Sequence, residues 1–233
     1  MDTQLHFTQK GMGKPLILLH GNGEDSGYFT HQIEFFSKDY RVIAVDTRGH
    51  GQSPRGNAPF TLRQFAEDLR SFMDRMGIEK ASLLGFSDGG NIALLFAMKY
   101  PDRVERLILN GANLTPRGVK LRVQLPIEIG YRLASLFARK APAAKRKAEL
   151  LGLMVKEPNI APEELASVRV PTLVIAGTKD MIKHRHTLLI CQSLPNGQAV
   201  FISGSHFIAG ENPEAFNRAV QNFLQQEDGK AFP

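Results

Sequence analysis

The chain has 233 residues, 42% of them hydrophobic and 22% charged, with a formal net charge of +6 at pH 7. That is enough chain for one large core carrying an insertion, and so ordinary a composition excludes disordered and fibrous classes. The charge is local, because ten basic residues face five acidic ones between residues 113 and 165, leaving +5 of the +6 there.

No apolar run approaches the roughly 18 residues of a membrane span, since the longest is broken at Asp88-Gly89-Gly90-Asn91. The start, Met1-Asp2-Thr3-Gln4-Leu5-His6, lacks the basic-then-apolar layout of a secretory leader. A lone cysteine, Cys191, excludes an internal disulfide and suits a reducing compartment. The expected location is therefore the cytoplasm. Nucleic acid is not an expected partner, because no recognition motif accompanies the basic stretch.

In chain order, short apolar runs at 16–19, 41–45, 81–84, 104–109, 172–176 and 199–202 read as strands. The first five are nearly continuous hydrophobics, as expected where helices cover both faces of a mostly parallel sheet. Between the second and third, Leu62, Phe65, Leu69, Phe72, Met73 and Met76 recur at helical spacing behind the candidate cap Thr61. A core helix follows from that spacing. The strand–helix alternation stops after Leu109 and resumes at Pro171. The stretch between is helix-rich and punctuated by Pro116, Pro126, Pro142, Pro158 and Pro162, which predicts a lid of short helices folded over the strand ends. The chain then divides into a core of residues 1–112 and 166–233 and a helical cap of residues 113–165.

Chemistry gathers just beyond the carboxyl ends of the strands in such sheets. Four clusters fall there: His20-Gly21-Asn22-Gly23, Gly85-Phe86-Ser87-Asp88-Gly89, Gly177-Thr178-Lys179-Asp180 and Ser203-Gly204-Ser205-His206. A serine with glycines two residues either side, at a strand-to-helix switch, is what a nucleophile elbow requires, because side chains at the glycines would strike neighbouring backbone. Its hydroxyl is a weak nucleophile and needs a base, assigned to His206. A buried carboxylate must hold the imidazole tautomer, and Asp180 is assigned that role. The other position for the acid, Asn110-Gly111-Ala112-Asn113, holds no carboxylate. The negative oxygen of an acyl intermediate needs preset donors, for which the backbone N–H groups of Asn22 and Asp88 are placed. The Asp88 carboxylate reads as a first-turn charge favoured by the helix dipole.

Other residues carry less. Cys191 reads as a small buried side chain on a helix. His184 and His186 diverge by about 200° on a helix and lack a third ligand, so no metal site is expected. The basic residues of the insertion, Arg132, Arg139 and Lys140 among them, read first as a solvated face, with anionic substrates or acidic lipid as the specific alternatives.

Over essentially its full length the sequence resembles the α/β-hydrolase superfamily, through the four clusters above and through Asp46-Thr47-Arg48-Gly49-His50-Gly51-Gln52-Ser53. The resemblance implies the α/β-hydrolase fold with a small helical cap, a serine nucleophile, no cofactor, and structural roles for Asp46 and His50. A serine at the elbow argues against the dehalogenase and epoxide hydrolase branches, which place an aspartate there. The reading is a serine hydrolase cleaving a carboxylic ester or related small acyl compound through a Ser87 acyl-enzyme. Its alternatives are a carbon–carbon bond hydrolase or enol-lactonase acting on an anionic substrate, and a slow or non-catalytic ligand receptor on the same fold.

Overall fold

The computed structural model describes residues 2–226. Seven strands form one sheet: β1 (Phe7–Lys10), β2 (Lys14–Leu19), β3 (Tyr40–Val45), β4 (Ala81–Phe86), β5 (Val104–Asn110), β6 (Thr172–Gly177) and β7 (Gly197–Ile202). Their spatial order is β1-β3-β2-β4-β5-β6-β7, with β1 antiparallel to β3 and every other pair parallel. The helices are α1 (Thr30–Phe36), α2 (Leu62–Arg75), α3 (Asp88–Lys99), α4 (Leu121–Phe137), α5 (Pro142–Lys156), α6 (His184–Ser193), α7 (Ile208–Glu211) and α8 (Pro213–Leu224). This is the α/β-hydrolase fold.

The apolar strand runs are explained by burial on both faces. On one face Ile17, Leu19, Ile43, Val45, Leu83 and Leu109 join Leu69 and Phe72 of α2 and Ile92 and Phe96 of α3. On the other, their neighbours in sequence, Leu16, Leu18, Val42, Ala44, Leu84 and Ile108, meet Phe36 of α1 and Phe216, Val220 and Phe223 of α8. The period of two sends alternate residues to opposite cores, and each such side chain contributes about 1.5–3 kcal/mol when fully buried. Helix α2 starts where expected, with the Thr61 hydroxyl accepting from Gln64 N–H at 3.1 Å, a cap typically worth about 1 kcal/mol.

Strand β1 has no counterpart among the sequence-based expectations. Its residues Thr8, Gln9 and Lys10 are exposed, so no buried face stamps a period on them. Pairing with the open edge of β3 makes it a strand, and its polar, charged outer surface blunts the edge. The prolines of the insertion also act differently from expectation. Rather than a set of short helices, 17-residue α4 and 15-residue α5 dominate the stretch, and Pro126 lies inside α4. One lost backbone bond near the first turn is tolerated on a helix whose outer side is open to water. Pro142 begins α5, where a missing N–H costs nothing.

Candidate active site

The elbow is built by exclusion of side chains. A Cβ at Gly85 would lie 2.2 Å from the Gly89 carbonyl oxygen, and one at Gly89 would lie 2.0 Å from that of Leu19. Ser87 therefore sits between two positions that only glycine can occupy, at the junction of β4 and α3. Its φ of 52° is the one positive value for a non-glycine residue among the described residues. Such a conformation costs of order 1–3 kcal/mol and is held by Ser87 N–H donating to the Asn110 carbonyl at 2.8 Å.

Three side chains meet there. The Ser87 Oγ is 3.0 Å from His206 Nε2, and His206 Nδ1 is 2.7 Å from Asp180 Oδ1. A carboxylate can only accept, so Nδ1 carries the hydrogen and Nε2 presents its lone pair to the serine hydroxyl. Asp180 is nearly fully buried and is steadied by Ile182 N–H at 2.8 Å. Two more glycines make room for this contact. A Cβ at Gly111 would come 2.6 Å from His206 Cε1, and one at Gly177 would come 1.9 Å from the Ser205 carbonyl oxygen. The same contact excludes an acid at position 111 itself, since any Cβ there would meet the imidazole.

The loop after β2 is fixed by a buried neutral histidine. His20 Nε2 accepts from Thr47 N–H at 3.0 Å, so its Nδ1 carries the hydrogen and donates to the Gly21 carbonyl at 2.7 Å. Burial holds its basicity below the ordinary imidazole value. Asp46 clamps the neighbouring loop by accepting from Ser26 N–H at 2.7 Å and Gln52 N–H at 2.9 Å. Arg48 is buried in the same loop and grips Asp68 with two bonds of 2.6 Å. Asp46 and His50 thus shape the strand end, with burial driving the His50 pKa down to about 4.

The Asn22 and Asp88 side chains do more than their backbone assignments suggest. Asn22 Nδ2 donates to Asp88 Oδ2 at 2.9 Å and to the Leu150 carbonyl of α5 at 2.8 Å. One amide therefore ties the glycine-rich loop to the nucleophile's helix and to the insertion. Asp88 is buried, and desolvation raises its pKa to about 6 despite the Asn22 and Asn91 donors. Asp88 lies in the first turn of α3, where the helix dipole favours its charge, and the Asn22 and Asn91 amides add donors to it. A capping-type Asp gives no sequence signal of this, although an Asn in the loop and an Asn at 91, one turn beyond Asp88, were the available hints.

The remaining candidates settle into packing. His186 Nε2 accepts from Leu114 N–H at 2.9 Å, and His184 stacks on Phe201. No cluster of three or more metal-binding side chains occurs among the described residues. Cys191 is half-buried, and burial raises its thiol pKa, opposite to what a reactive thiolate needs. A cavity of about 470 Å³ separates the Gly49–Phe60 region from α5; it meets the site only through Leu150, whose carbonyl accepts from Asn22, and none of Ser87, Asp180 or His206 lines it. Arg55, Lys145, Arg146, Glu149 and Leu150 are among its lining residues, with Arg55 paired to Glu149 at 2.9 Å; Arg132, Arg139 and Lys140 do not line it.

The comparisons with known proteins agree with this architecture. Residues 14–127 match the family model described as alpha/beta hydrolase fold. The 2-hydroxymuconate semialdehyde hydrolase of Pseudomonas putida is 28% identical over 270 residues, covering 97% of this chain and 92% of that protein. The enol-lactonase of Burkholderia xenovorans superposes with a TM-score of 0.81 at 24% identity, over 96% of this chain and 97% of that one. A meta-cleavage product hydrolase of Pseudomonas fluorescens gives 0.76 at 25%, over 95% and 94%. The chain is an α/β-hydrolase fold protein. Hydrolysis is the reaction that these relatives' names describe. No helix among the described residues is long and apolar enough to cross a membrane.

Proposed function

We propose that Ser87, His206 and Asp180 form a catalytic triad that hydrolyses a small anionic acyl compound, either across a carbon–carbon bond next to a ketone or at an enol-lactone. The observation that carries the triad is the unbroken chain of 2.7 and 3.0 Å contacts ending at a serine on a strained elbow. Ser87 Oγ adds to the carbonyl carbon while His206 Nε2 takes its proton, and Asp180 stabilises the imidazolium. The backbone N–H groups of Asn22 and Asp88 receive the oxyanion; removing such a donor typically costs about 2.7–4 kcal/mol in the barrier. Collapse expels the leaving group, which takes the proton from His206, and water activated by the same imidazole releases the acyl group from Ser87. No step requires a cofactor. A carbon leaving group must depart as a stabilised carbanion, which confines that reaction to substrates whose conjugation spreads the charge.

The substrate class is favoured over a simple carboxylic ester by the relatives, among them the 2-hydroxy-6-oxo-6-phenylhexa-2,4-dienoate hydrolase of Comamonas testosteroni, 28% identical. It is also favoured by Lys145 and Arg146, which line the cavity that Asn22's partner Leu150 shares, and whose charges remain once Arg55 and Glu149 have paired with each other. In this reading residues 113–165 act as a cap that selects substrate, over a core of 1–112 and 166–233. The test compares kcat/KM for dienoate ketones, enol-lactones and p-nitrophenyl esters. The Lys145→Glu, Arg146→Glu double variant should raise KM for acidic substrates more than for neutral ones, and salt should shrink the difference. Higher kcat/KM for neutral esters, or equal effects on both classes, contradicts an anionic substrate while leaving the triad standing.

A further inference from the structure

The insertion presents a surface that neither the triad nor the cavity uses. Leu121, Leu125, Ile129, Leu133, Leu136 and Phe137 of α4 are all at least half exposed, with Leu136 at 72%. At 100° per residue they fall within about 160° of the helix circumference, forming one stripe along a helix about 25 Å long. The opposite side is spent on packing, where Gln124 and Ala134 are buried. Isolated exposed leucines need no explanation, but six large apolar side chains on one side of one helix, with only Arg122 and Arg132 between them, form an apolar face studded with cations, which marks an interaction site.

Charge identifies the occupant. From residue 120 to 147 there are eight basic residues and one acidic residue, Glu128. Arg122 and Arg132 fall within the same arc of α4 as the stripe, Arg139 and Lys140 lie at the α4–α5 turn, and Lys147 lies on α5, all exposed. Among the described residues none of these five has an ion-pair partner. A second copy of this chain would bring like charges together across the stripe. An anionic surface with an apolar interior complements both features at once, since leucine and phenylalanine enter the acyl boundary while arginine and lysine stems lie along it with their cations at the headgroups.

We propose that α4 and the α4–α5 turn dock this protein onto the surface of an anionic phospholipid bilayer, lying in the interface rather than crossing it. Helix α4 begins against the Asp180 loop, where Lys120 N–H donates to the Met181 carbonyl at 2.8 Å and the Lys120 ammonium bonds the Asp180 carbonyl. A docked stripe therefore holds the acid-bearing loop close to the lipid. The proposal does not rest on the reaction assigned above, because it concerns where the protein sits and is read by binding alone.

The experiment is flotation of the full chain with vesicles of phosphatidylcholine alone and of phosphatidylcholine mixed with phosphatidylglycerol, at low and high salt. The protein should float with the anionic vesicles, stay largely behind with the zwitterionic ones, and be released as salt screens the cations. Ile129→Asp with Leu133→Asp should cut the bound fraction at least about tenfold by placing charge in the apolar stripe. Arg132→Glu with Arg139→Glu and Lys140→Glu should abolish the preference for anionic vesicles. Both variants sit on exposed positions, and unchanged cleavage of p-nitrophenyl acetate together with an unchanged melting transition shows that they are folded. Failure to float with either vesicle, or equal flotation with both at every salt concentration, overturns the proposal. So does a dimer in sedimentation equilibrium that Ile129→Asp dissociates without any vesicle binding, which would give the stripe to a second copy.

Discussion

The sheet edge and the insertion hold the chain by opposite means. At the edge, Gly85, Gly89, Gly111 and Gly177 each face an atom between 1.9 and 2.6 Å from where a Cβ would stand, and Ser87, Asp180 and His206 are fixed between them. In the insertion, α4 packs chiefly on α5 and leaves six large apolar side chains open. The first region tolerates almost no change of shape; the second tolerates a great deal. Reactive geometry is thus carried by backbone proximity in the buried region, while the exposed region is free to vary what reaches it.

The contrast breaks most sharply at the nucleophile. Ser87→Ala should lower kcat by of order 10⁴ or more with little change in melting temperature, since one member of a unit is removed from a strained turn. Next comes Gly111→Ala, which adds a methyl where His206 Cε1 stands 2.6 Å away and where the backbone has φ +63°. Turnover should fall on the order of 10²-fold as the imidazole is displaced by a fraction of an ångström, while binding of a substrate-sized inhibitor changes less; unaltered kcat would show that the ring has room.

Most of this edge was legible in the sequence, and the reason is steric. Glycines that exist because nothing else fits leave an unambiguous mark, so the 85–89 motif placed Ser87, and strand ends placed Asp180 and His206. Asn22 was legible only as a backbone position, because a side-chain amide bridging three elements has no periodicity and no fixed spacing to read. The Asp88 carboxylate was legible as a first-turn charge of α3, but its burial and its bonds from Asn22 and Asn91 were not, since they depend on packing that a local rule about helix dipoles does not see. Strand β1 was invisible because an exposed edge strand carries no alternation, and the lengths of α4 and α5 were obscured by prolines that fall at tolerated positions.

Asp88 and Asn22 give the intermediate test of the comparison, since their amide bridge is where the two regions touch. Asp88 has a pKa raised from 3.8 to about 6 by burial, so the folded state holds a proton that the unfolded chain has released between those values. Stability from this group is fully present below about pH 4 and is lost as pH rises through about 6, a fall of up to about 3 kcal/mol. Asp88→Asn should flatten that part of the stability–pH curve in chemical denaturation; an unchanged slope would mean the carboxylate is not buried as described. Asn22→Ala should reduce kcat on the order of tenfold to a hundredfold by loosening the loop, with Asn22→Asp no rescue because it sets two carboxylates against each other.

The smallest effects belong to the exposed helix. Leu125→Ala or Leu133→Ala should shift stability by no more than about 0.5 kcal/mol in urea denaturation, against about 2–5 kcal/mol for a buried leucine such as Leu84→Ala. Comparable losses at both sites would mean that α4 is covered in solution and would remove the basis of the contrast.

The central claim, that the buried sheet edge presents Ser87 as an activated nucleophile, is tested most directly by covalent capture. A fluorophosphonate probe followed by peptide mass spectrometry should place the label on Ser87, and His206→Ala should abolish the labelling by removing the base 3.0 Å from its Oγ. Labelling on any other residue, or equally rapid labelling of Ser87 in the His206→Ala protein, would contradict it.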